Sequence, residues 1–379
     1  MRYRITHRTQ YVYETPAHES FNEVRLRPVS DRRQACLAFD LTIDPPATVI
    51  AFEDYYGNAV HDFSVPYMHL GLIVEATSEV VTFAAADEPL SGPRAGEPDR
   101  SPALATLAGD TEFADEHAEY LTSSAYVSLG GAAAAMARSL LAADPSTSAH
   151  GFLMAANAHI HDTFDYQIGA TSVHTTVDEV IAGRRGVCQD FSHLLIALGR
   201  NAGLPMRYAS GYLGQSGESE ASHAWVEAFI PPWGWIGVDP AGGAVCTGRH
   251  VKVATGRDYA DVSVVRGTYR GGLAPELSVN VRCEELSEDW GASALAGPER
   301  RQSGMIQFQT LGGQRSRQLD ALARAYEQAQ KVSPAMQSSW SDAGPRGAED
   351  APRQQPQQQQ QQQQQHRQRP CSPEQDAAS

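Results

Sequence analysis

Lysine is nearly absent from this sequence of 379 residues, which contains only Lys252 and Lys331. The other cationic side chains are arginines, and acidic residues outnumber them, so the formal net charge is −15. This balance argues against a general nucleic-acid binder, because such a protein needs a basic face. Long hydrophobic runs are also lacking. No stretch of about 18 apolar residues occurs, so no membrane span is expected.

Cysteine is scarce as well, and the five cysteines are odd in number and scattered along the chain. This usage is typical of free thiols in a reducing compartment rather than of a disulfide framework. The N-terminal segment MRYRITHRTQYVYE alternates like a strand and has no apolar signal-peptide core. We therefore expect a cytoplasmic location.

Composition and periodicity divide the chain into four regions. Residues 1–90 contain short alternating runs separated by turn signals, which predicts an N-terminal β-sandwich domain. Residues 91–147 are expected to form a linker and helices, and residues 148–286 a core with a helix packed on an antiparallel sheet. Residues 287–379 are rich in Gln, Pro and Ser, with nine consecutive glutamines at 357–365. This composition predicts a mostly disordered tail, which is a candidate site for a protein partner.

The stretch GRRGVCQDFSHLLIALG places Cys188 directly after a glycine-rich turn. Apolar side chains then recur at helical spacing on one face: Phe191, Leu194, Leu195 and Leu198. Cys188 is therefore predicted at the N-terminus of a helix, where the helix dipole and free backbone N–H groups favour a thiolate. The same N–H groups can donate to a developing oxyanion. A small buried cysteine that fills a helix end is the structural alternative.

Two later strands carry a histidine and an aspartate. His223 opens the alternating run HAWVEAFI, and Asp239 closes the run WIGVD, which follows the hairpin loop PPWG. Antiparallel pairing brings the start of the first strand close to the end of the second, so the two residues should be neighbours. An imidazole near a thiol can accept its proton, and a carboxylate can fix the imidazole tautomer. The structural alternatives are a strand histidine that only packs and a turn-initiating aspartate before Pro240.

The segments GVCQDFSHLLIALGRNAGLPMRYASGY and SHAWVEAFIPPWGWIGVDP resemble the core of the transglutaminase-like superfamily. The start MRYRITHRTQYVYE, with NEVRLRP, DYYGN and GRDYADV, resembles the bacterial subgroup that carries its own N-terminal β domain. The resemblance covers roughly residues 1–286. It implies an α+β, papain-like fold with Cys188, His223 and Asp239 as a catalytic triad. One departure is Ala241, where the family often has threonine.

The predicted function is that of a cysteine-dependent amide-bond enzyme. Cys188 attacks a carboxamide or peptide carbonyl, and His223 then protonates the leaving amine. Water or an amine resolves the resulting thioester. We expect hydrolysis of a peptide or protein by a peptidase or amidase, because nothing indicates a dedicated amine site. No cofactor and no metal are expected.

Other functions stay open at this point. A protein-crosslinking transglutaminase and an arylamine acyltransferase use the same acyl-transfer chemistry. The alternative from another class is a non-catalytic binding or assembly module with a vestigial triad, in which the β domain and the tail recruit a partner.

Further positions near these motifs are candidates for supporting roles. Asp190 is expected to stabilise the helix start or to hold Arg184 or Arg185. Tyr166 or Gln167 is a candidate for a second oxyanion donor. Candidates for the cleft wall or the core are Asp258, Tyr259, Trp225, Trp233 and Trp235.

Overall fold

The computed structural model describes residues 1–83, 92–93, 97–214, 217–219, 222–273, 276–286 and 353–354. The glutamine-rich tail predicted at 287–379 therefore lies outside the described residues, except for the pair 353–354.

Strands occupy both ends of the described chain, and most of the helices lie between them. The strands are β1 (Arg2–Val24), β2 (Gln34–Asp44), β3 (Val49–Glu53), β4 (Ala59–Val65), β5 (His69–Thr82), β6 (Asp165–Tyr166), β7 (Arg185–Gly186), β8 (Met206–Leu213), β9 (Gly217–Ser219), β10 (His223–Ile230), β11 (Gly234–Asp239), β12 (Ala244–Val245), β13 (His250–Gly256), β14 (Val265–Gly271), β15 (Glu276–Leu286) and β16 (Arg353–Gln354). The helices are α1 (Leu104–Gly109), α2 (Thr111–Glu116), α3 (Gly131–Ala143), α4 (Ala149–Thr163), α5 (Val177–Gly183), α6 (Cys188–Asn201) and α7 (Tyr259–Val262). The α+β class predicted from the sequence is confirmed.

The N-terminal sheet is organised around β1, which is 23 residues long. Its first half pairs mainly with β5 and β15, and its second half with β4 and β14, in every case antiparallel. β2 extends the sheet beyond β5, and β3 extends it beyond β4. Every second side chain from Tyr3 to Tyr13 is buried, because alternate residues of a strand face the same side. The strand-rich N-terminal region therefore has a core of its own.

β14 and β15 belong to this N-terminal sheet rather than to the core. The sequence groups residues 265–286 with the core, but β15 pairs with β1 from Arg2 opposite Leu286 to Val12 opposite Glu276. A long strand with unpaired edges leaves backbone donors and acceptors open, and this pairing satisfies them. The last strand of the core sheet is β13, so β14 and β15 lie outside that sheet although the predicted core region, 148–286, includes them.

The helices that the sequence places with the linker, at 91–147, also pack into the core. Leu104 and Leu107 of α1 and Ala133 and Ala137 of α3 are buried in the same cluster as the helix that begins at Cys188. The alanines allow α3 to approach α6 closely, because their side chains are small. This part of the chain is thus a layer of the core rather than a connection to it.

The core sheet has the antiparallel order β12-β11-β10-β8-β13. Helix α6 packs on β10 and β8, and its residues from Gln189 to Arg200 are all buried. A helix that is buried all round is enclosed by other elements, and α3, α4 and α5 cover the faces that the sheet leaves free. The N-terminus of α6 is consequently held in a rigid setting.

Two side-chain amides join the N-terminal region to the edge of the core sheet. Gln34 accepts from the Lys252 N–H at 2.7 Å and donates to the Lys252 carbonyl at 2.8 Å. Asn58 makes the same pair of bonds with the backbone of Thr255, both at 2.8 Å. These bonds satisfy backbone groups of the edge strand β13. The N-terminal region therefore supplies hydrogen bonds to the edge of β13 that an adjacent strand would otherwise supply.

Candidate active site

Cys188 is the first residue of α6, as the sequence predicts. The chain reaches it from a left-handed residue, Arg184 (φ 48°), which ends α5, and then through β7, which pairs in parallel with β6. Gly186 is required in this approach, since a Cβ atom there would lie 2.8 Å from Cβ of Asp190. The turn presents the Cys188 thiol at the helix N-terminus, where backbone N–H groups have no intrahelical acceptor.

Asp190 stabilises the start of this helix. Its buried Oδ2 accepts from the Val187 N–H at 2.8 Å and from the Thr171 hydroxyl at 2.6 Å. Burial raises the pKa of Asp190 to about 6, and the two hydrogen bonds oppose that rise. The expected contact with Arg184 or Arg185 is replaced by Thr171, and the Arg184 guanidinium lies 5.7 Å from the ring centre of Phe164.

His223 and Asp239 are neighbours, as the hairpin pattern predicts. Nε2 of His223 lies 2.7 Å from Oδ2 of Asp239. β10 and β11 pair in antiparallel register, with Val226 opposite Val238, which brings the start of one strand to the end of the other. Both side chains are mostly buried, with exposed fractions of 17% and 7%.

The imidazole of His223 also interacts with the thiol of Cys188. Because Nε2 is bonded to Asp239, Nδ1 is the nitrogen that remains for the sulfur. Burial alone lowers the pKa of His223, but the hydrogen bonds to Asp239 and Cys188 outweigh it and raise the pKa to about 10. The imidazole is therefore cationic at neutral pH, beside a cysteine at a helix N-terminus.

Asp239 is held by four hydrogen bonds. Besides His223, its Oδ2 accepts from Nε2 of His250 at 3.3 Å, and its Oδ1 accepts from the N–H groups of Ala241 and Gly242 at 3.0 and 3.1 Å. Burial tends to raise the pKa of Asp239, but these donors hold it well below its usual range. The carboxylate thus stays ionised and fixed in orientation.

Matches to known families agree with this geometry. Residues 3–81 match the bacterial transglutaminase-like N-terminal region, and residues 134–240 match the transglutaminase-like superfamily. The uncharacterized protein ML0607 of Mycobacterium leprae is 34% identical over 294 residues, which are 76% of this chain and 99% of that protein. The chain belongs to the transglutaminase-like superfamily.

Two further relatives are more distant. A candidate cysteine protease from Cytophaga hutchinsonii shares the fold of this superfamily member, with a TM-score of 0.58 and 23% identity over 76% of this chain and 92% of that chain. A protein-glutamine gamma-glutamyltransferase of Pseudomonas aeruginosa is 28% identical over 166 residues, 39% of this chain but 24% of that protein. The resemblance stated from the sequence is confirmed, and so is the transglutaminase-like fold of the core.

Tyr166, rather than Gln167, lies against the nucleophile candidate of this transglutaminase-like core. Tyr166 pairs with Gly186 in the short β6–β7 ladder, which brings its side chain to Cys188. Electrostatic interaction with Cys188, followed by burial, raises the pKa of Tyr166 well above its usual range. Its side chain is half exposed, and its ring centre lies 6.1 Å from that of Phe191. Gln167 contributes a backbone hydrogen bond to Gly186.

The other side chains singled out from the sequence have packing roles. Asp258 caps α7 and accepts from the N–H of Tyr126, and Tyr259 is buried. Trp225 is buried beneath the candidate site, with its ring centre 6.2 Å from that of His223. The Arg207 guanidinium lies over the ring of Trp235, 4.1 Å from the ring centre. Trp233 is partly buried against the core.

His250 is the site residue that the sequence did not identify. It begins β13 in the run HVKVATG, and like His223 it is a histidine that opens an apolar strand. That shared position at the start of an apolar strand is the feature by which the sequence could have identified His250. The pairing of β13 with β8, which brings the residue to the site, depends on contacts far apart in the chain.

Among the described residues, one group has the composition of a metal site. His223, Asp239 and His250 offer ligand atoms that all lie within 4.8 Å of one another. Two imidazoles and a carboxylate are ligands that zinc accepts. The same three side chains can also form a hydrogen-bond network centred on the Asp239 carboxylate.

A cavity of about 390 Å³ adjoins the turn before α6. Its lining includes Thr171, His174, Glu179 and Arg185. Thr171 also donates a hydrogen bond to Asp190, and this bond connects the cavity wall to the first turn of α6. Its polar lining suits polar groups better than large apolar ones.

Within the part of the chain that the structure describes, no helix is long and apolar enough to span a membrane.

Proposed function

We propose that this transglutaminase-like protein is a cysteine-dependent amide-bond enzyme with Cys188 as nucleophile, His223 as base and acid, and Asp239 as the orienting carboxylate. The observation that carries the proposal is the position of the His223 imidazole, which is bonded to Asp239 at 2.7 Å and also interacts with the Cys188 thiol. An imidazole that is cationic at neutral pH beside a cysteine favours the thiolate–imidazolium pair.

The reaction follows from this arrangement. The Cys188 sulfur attacks the carbonyl carbon of an amide, and the electron pair of the C=O bond moves to oxygen. When the tetrahedral intermediate collapses, the C–N bond breaks and the His223 proton goes to the departing amine. The product is a thioester on Cys188. His223, now neutral, then takes a proton from the incoming water or amine, which attacks the thioester and releases the sulfur.

The developing oxyanion is stabilised by two donors in this proposal. One is the backbone N–H of Cys188, which lies at the helix N-terminus. The other is the hydroxyl of Tyr166. The raised pKa of this phenol keeps it protonated, so that it can donate throughout the neutral range. Together they receive the charge that forms on the carbonyl oxygen.

We propose hydrolysis of peptides or carboxamides as the main reaction, with protein crosslinking as the second candidate. The Cytophaga hutchinsonii relative is a candidate protease, and the Pseudomonas aeruginosa relative is a transferase over a short match. An assay with a glutamine-containing peptide and a primary amine separates the two. Ammonia release with little amine incorporation supports hydrolysis, and incorporation that exceeds hydrolysis supports crosslinking.

The non-catalytic alternative is tested by alkylation of the free thiols. Burial raises the pKa of Cys36 and of Cys246, so these thiols should react slowly with iodoacetamide. Cys188, paired with His223, should be labelled at least about tenfold faster at mildly acidic pH, and His223→Ala should remove that advantage. Equal, slow labelling of Cys188 and the other thiols would favour a binding or assembly module.

We also propose a cytoplasmic location, which the cysteines support. Within the described residues, Cys36, Cys188, Cys246 and Cys283 form no disulfide. Cell fractionation tests this proposal. Recovery of the protein outside the cytoplasmic fraction would contradict it. We propose separately that the tail binds a protein partner. A chain truncated after residue 286 should lose this binding, and binding that persists in the truncated chain would contradict the proposal.

A further inference from the structure

His250 is a second histidine on the carboxylate of Asp239. Its Nε2 lies 3.3 Å from Oδ2, the oxygen that also accepts from His223. Its side chain is only 10% exposed. The ring centres of the two histidines are 6.1 Å apart, and His250 approaches the carboxylate from β13 whereas His223 approaches it from β10.

The protonation of His250 is fixed by its other nitrogen. The backbone N–H of Thr247 points at Nδ1 of His250 over 3.1 Å. An N–H group can only donate, so Nδ1 must hold a lone pair, and the proton of a neutral imidazole must then be on Nε2. Nε2–H is therefore a donor to Asp239, and the bond is correctly oriented without any charge on His250.

This assignment decides against a metal ion at the three side chains. A metal on Nε2 of His250 needs the lone pair there, which would move the proton to Nδ1 and set it against the Thr247 N–H. A metal on Nε2 of His223 would likewise need a lone pair on that nitrogen, which instead donates to Asp239 at 2.7 Å. The three residues thus form a chain of donors on one carboxylate rather than a set of ligands.

The position of His250 is supported from both sides. Its ring packs edge-on against buried Trp225, with ring centres 5.3 Å apart. Two residues further along β13, Lys252 is bonded through its backbone to Gln34 of the N-terminal sheet. The strand start that carries His250 is therefore fixed by the core on one side and by the N-terminal region on the other.

We propose that His250 is a positioning residue that acts through Asp239. It donates to Oδ2 and, with the N–H groups of Ala241 and Gly242 on Oδ1, fixes the plane of the carboxylate so that the second lone pair of Oδ2 is aimed at His223. This inference rests on the proposed function, because its effect is on the orientation of the His223 imidazole.

Two variants separate the hydrogen bond from packing. His250→Phe keeps a ring against Trp225 but loses the donor, whereas His250→Gln loses the ring and keeps an N–H group. We expect His250→Phe to lower kcat about 10- to 100-fold with KM within about twofold of the wild type. His250→Gln should recover most of that loss. Wild-type kcat in His250→Phe, or a Gln variant as poor as the Phe variant, would overturn the proposal.

Cys188→Ala, assayed beside them, keeps the two proposals distinguishable. If amide cleavage survives Cys188→Ala, the proposed function fails. If cleavage is lost there but His250→Phe is fully active, only the positioning role fails.

A measurement on the wild-type chain does not depend on the folding of any variant. Nitrogen-15 NMR of the histidine rings should show His250 as the neutral tautomer with its proton on Nε2 at neutral pH, unchanged by equimolar Zn²⁺. A proton on Nδ1, or a zinc-induced change at the His250 Nε2, would overturn the assignment.

Discussion

Nε2 of His223 lies 2.7 Å from Oδ2 of Asp239, at the point where the first residue of β10 meets the last residue of β11. Both residues are placed by strand pairing rather than by a loop, so their distance is set by the backbone of a rigid sheet. The proposed catalysis depends on this contact, because Asp239 orients the His223 imidazole and stabilises its protonated form.

Asp239→Asn should retain the fold and lose most of the activity. The amide has nearly the same shape, but it carries no charge, so the His223 cation loses its main support. We expect kcat to fall by at least about 100-fold, with circular dichroism unchanged. Ser64→Ala, an exposed change in β4, is a control that should leave kcat unaltered. Activity of Asp239→Asn within a few-fold of the wild type would contradict the assigned role.

Tyr166→Phe isolates one hydroxyl. If Tyr166 donates to the oxyanion, its loss should lower kcat by about 100-fold and leave KM nearly unchanged, because the bond forms only in the transition state. Steady-state kinetics on one peptide substrate provides the measurement. Tyr56→Phe in the N-terminal region is the matched control. An increase in KM at constant kcat would instead assign Tyr166 to substrate binding.

The raised pKa of His223 has a consequence for stability. A base whose pKa is higher in the folded chain stabilises that state fully below its unfolded pKa of 6.5, and the contribution is lost as the pH rises through about 10. The difference in unfolding free energy between the wild type and His223→Gln should therefore shrink between pH 6 and pH 10. A decrease of more than about 1 kcal/mol is expected in urea titrations. A difference that stays constant over this range would refute the pKa shift.

Arg200 should be a major determinant of stability outside the candidate site. Its buried guanidinium donates to the carbonyls of Met206, Thr122 and Arg257, which belong to three different segments. Burial lowers the pKa of Arg200 to about 10, so the group remains charged at neutral pH. Arg200→Met leaves these acceptors unsatisfied and should cost about 3–5 kcal/mol in chemical unfolding.

An exposed arginine gives the control for this change. Arg270 pairs with Glu19 on the surface of the N-terminal sheet, and surface pairs contribute little. Arg270→Met should therefore change the unfolding free energy by less than about 1 kcal/mol. Equal effects of Arg200→Met and Arg270→Met would show that the buried bonds are not a determinant of stability.

Gln34 should couple the N-terminal region to the core. Gln34→Leu removes both bonds to the Lys252 backbone and leaves the buried Lys252 N–H unpaired, while the Lys252 carbonyl keeps only its bond from the Val29 N–H. We expect a loss of about 2–4 kcal/mol in unfolding free energy, with Thr42→Val on the same strand close to neutral. Because His250 lies on the same edge strand, kcat should also fall. Unchanged stability in Gln34→Leu would mean that water forms these hydrogen bonds with the β13 backbone instead.

The sequence predicts those parts of the molecule that are set by local patterns. The apolar stripe after Cys188 gives α6, and the loop PPWG with its flanking alternation gives the hairpin that joins His223 to Asp239. These predictions succeed because the contacts concerned lie a few to about twenty residues apart, where period and turn chemistry carry the information.

The remainder depends on contacts between distant parts of the chain. The pairing of β15 with β1 joins residues at opposite ends of the described chain, and either strand alone is compatible with several partners. The same limit applies to His250, which reaches Asp239 only after β13 has paired with β8 and has been covered by Gln34. Hydrophobic alternation fixes which face of a strand is buried, but not which strand lies next to it.

The most direct test of the proposed activity is mass spectrometry of the enzyme after an acid quench during turnover of a peptide amide. We predict an acyl group on the peptide that contains Cys188, bound as a thioester that hydroxylamine removes. The adduct should be absent from Cys188→Ala and should form much more slowly in His223→Ala. An adduct on Cys36, Cys246 or Cys283 instead, or turnover that continues in Cys188→Ala, would contradict the account.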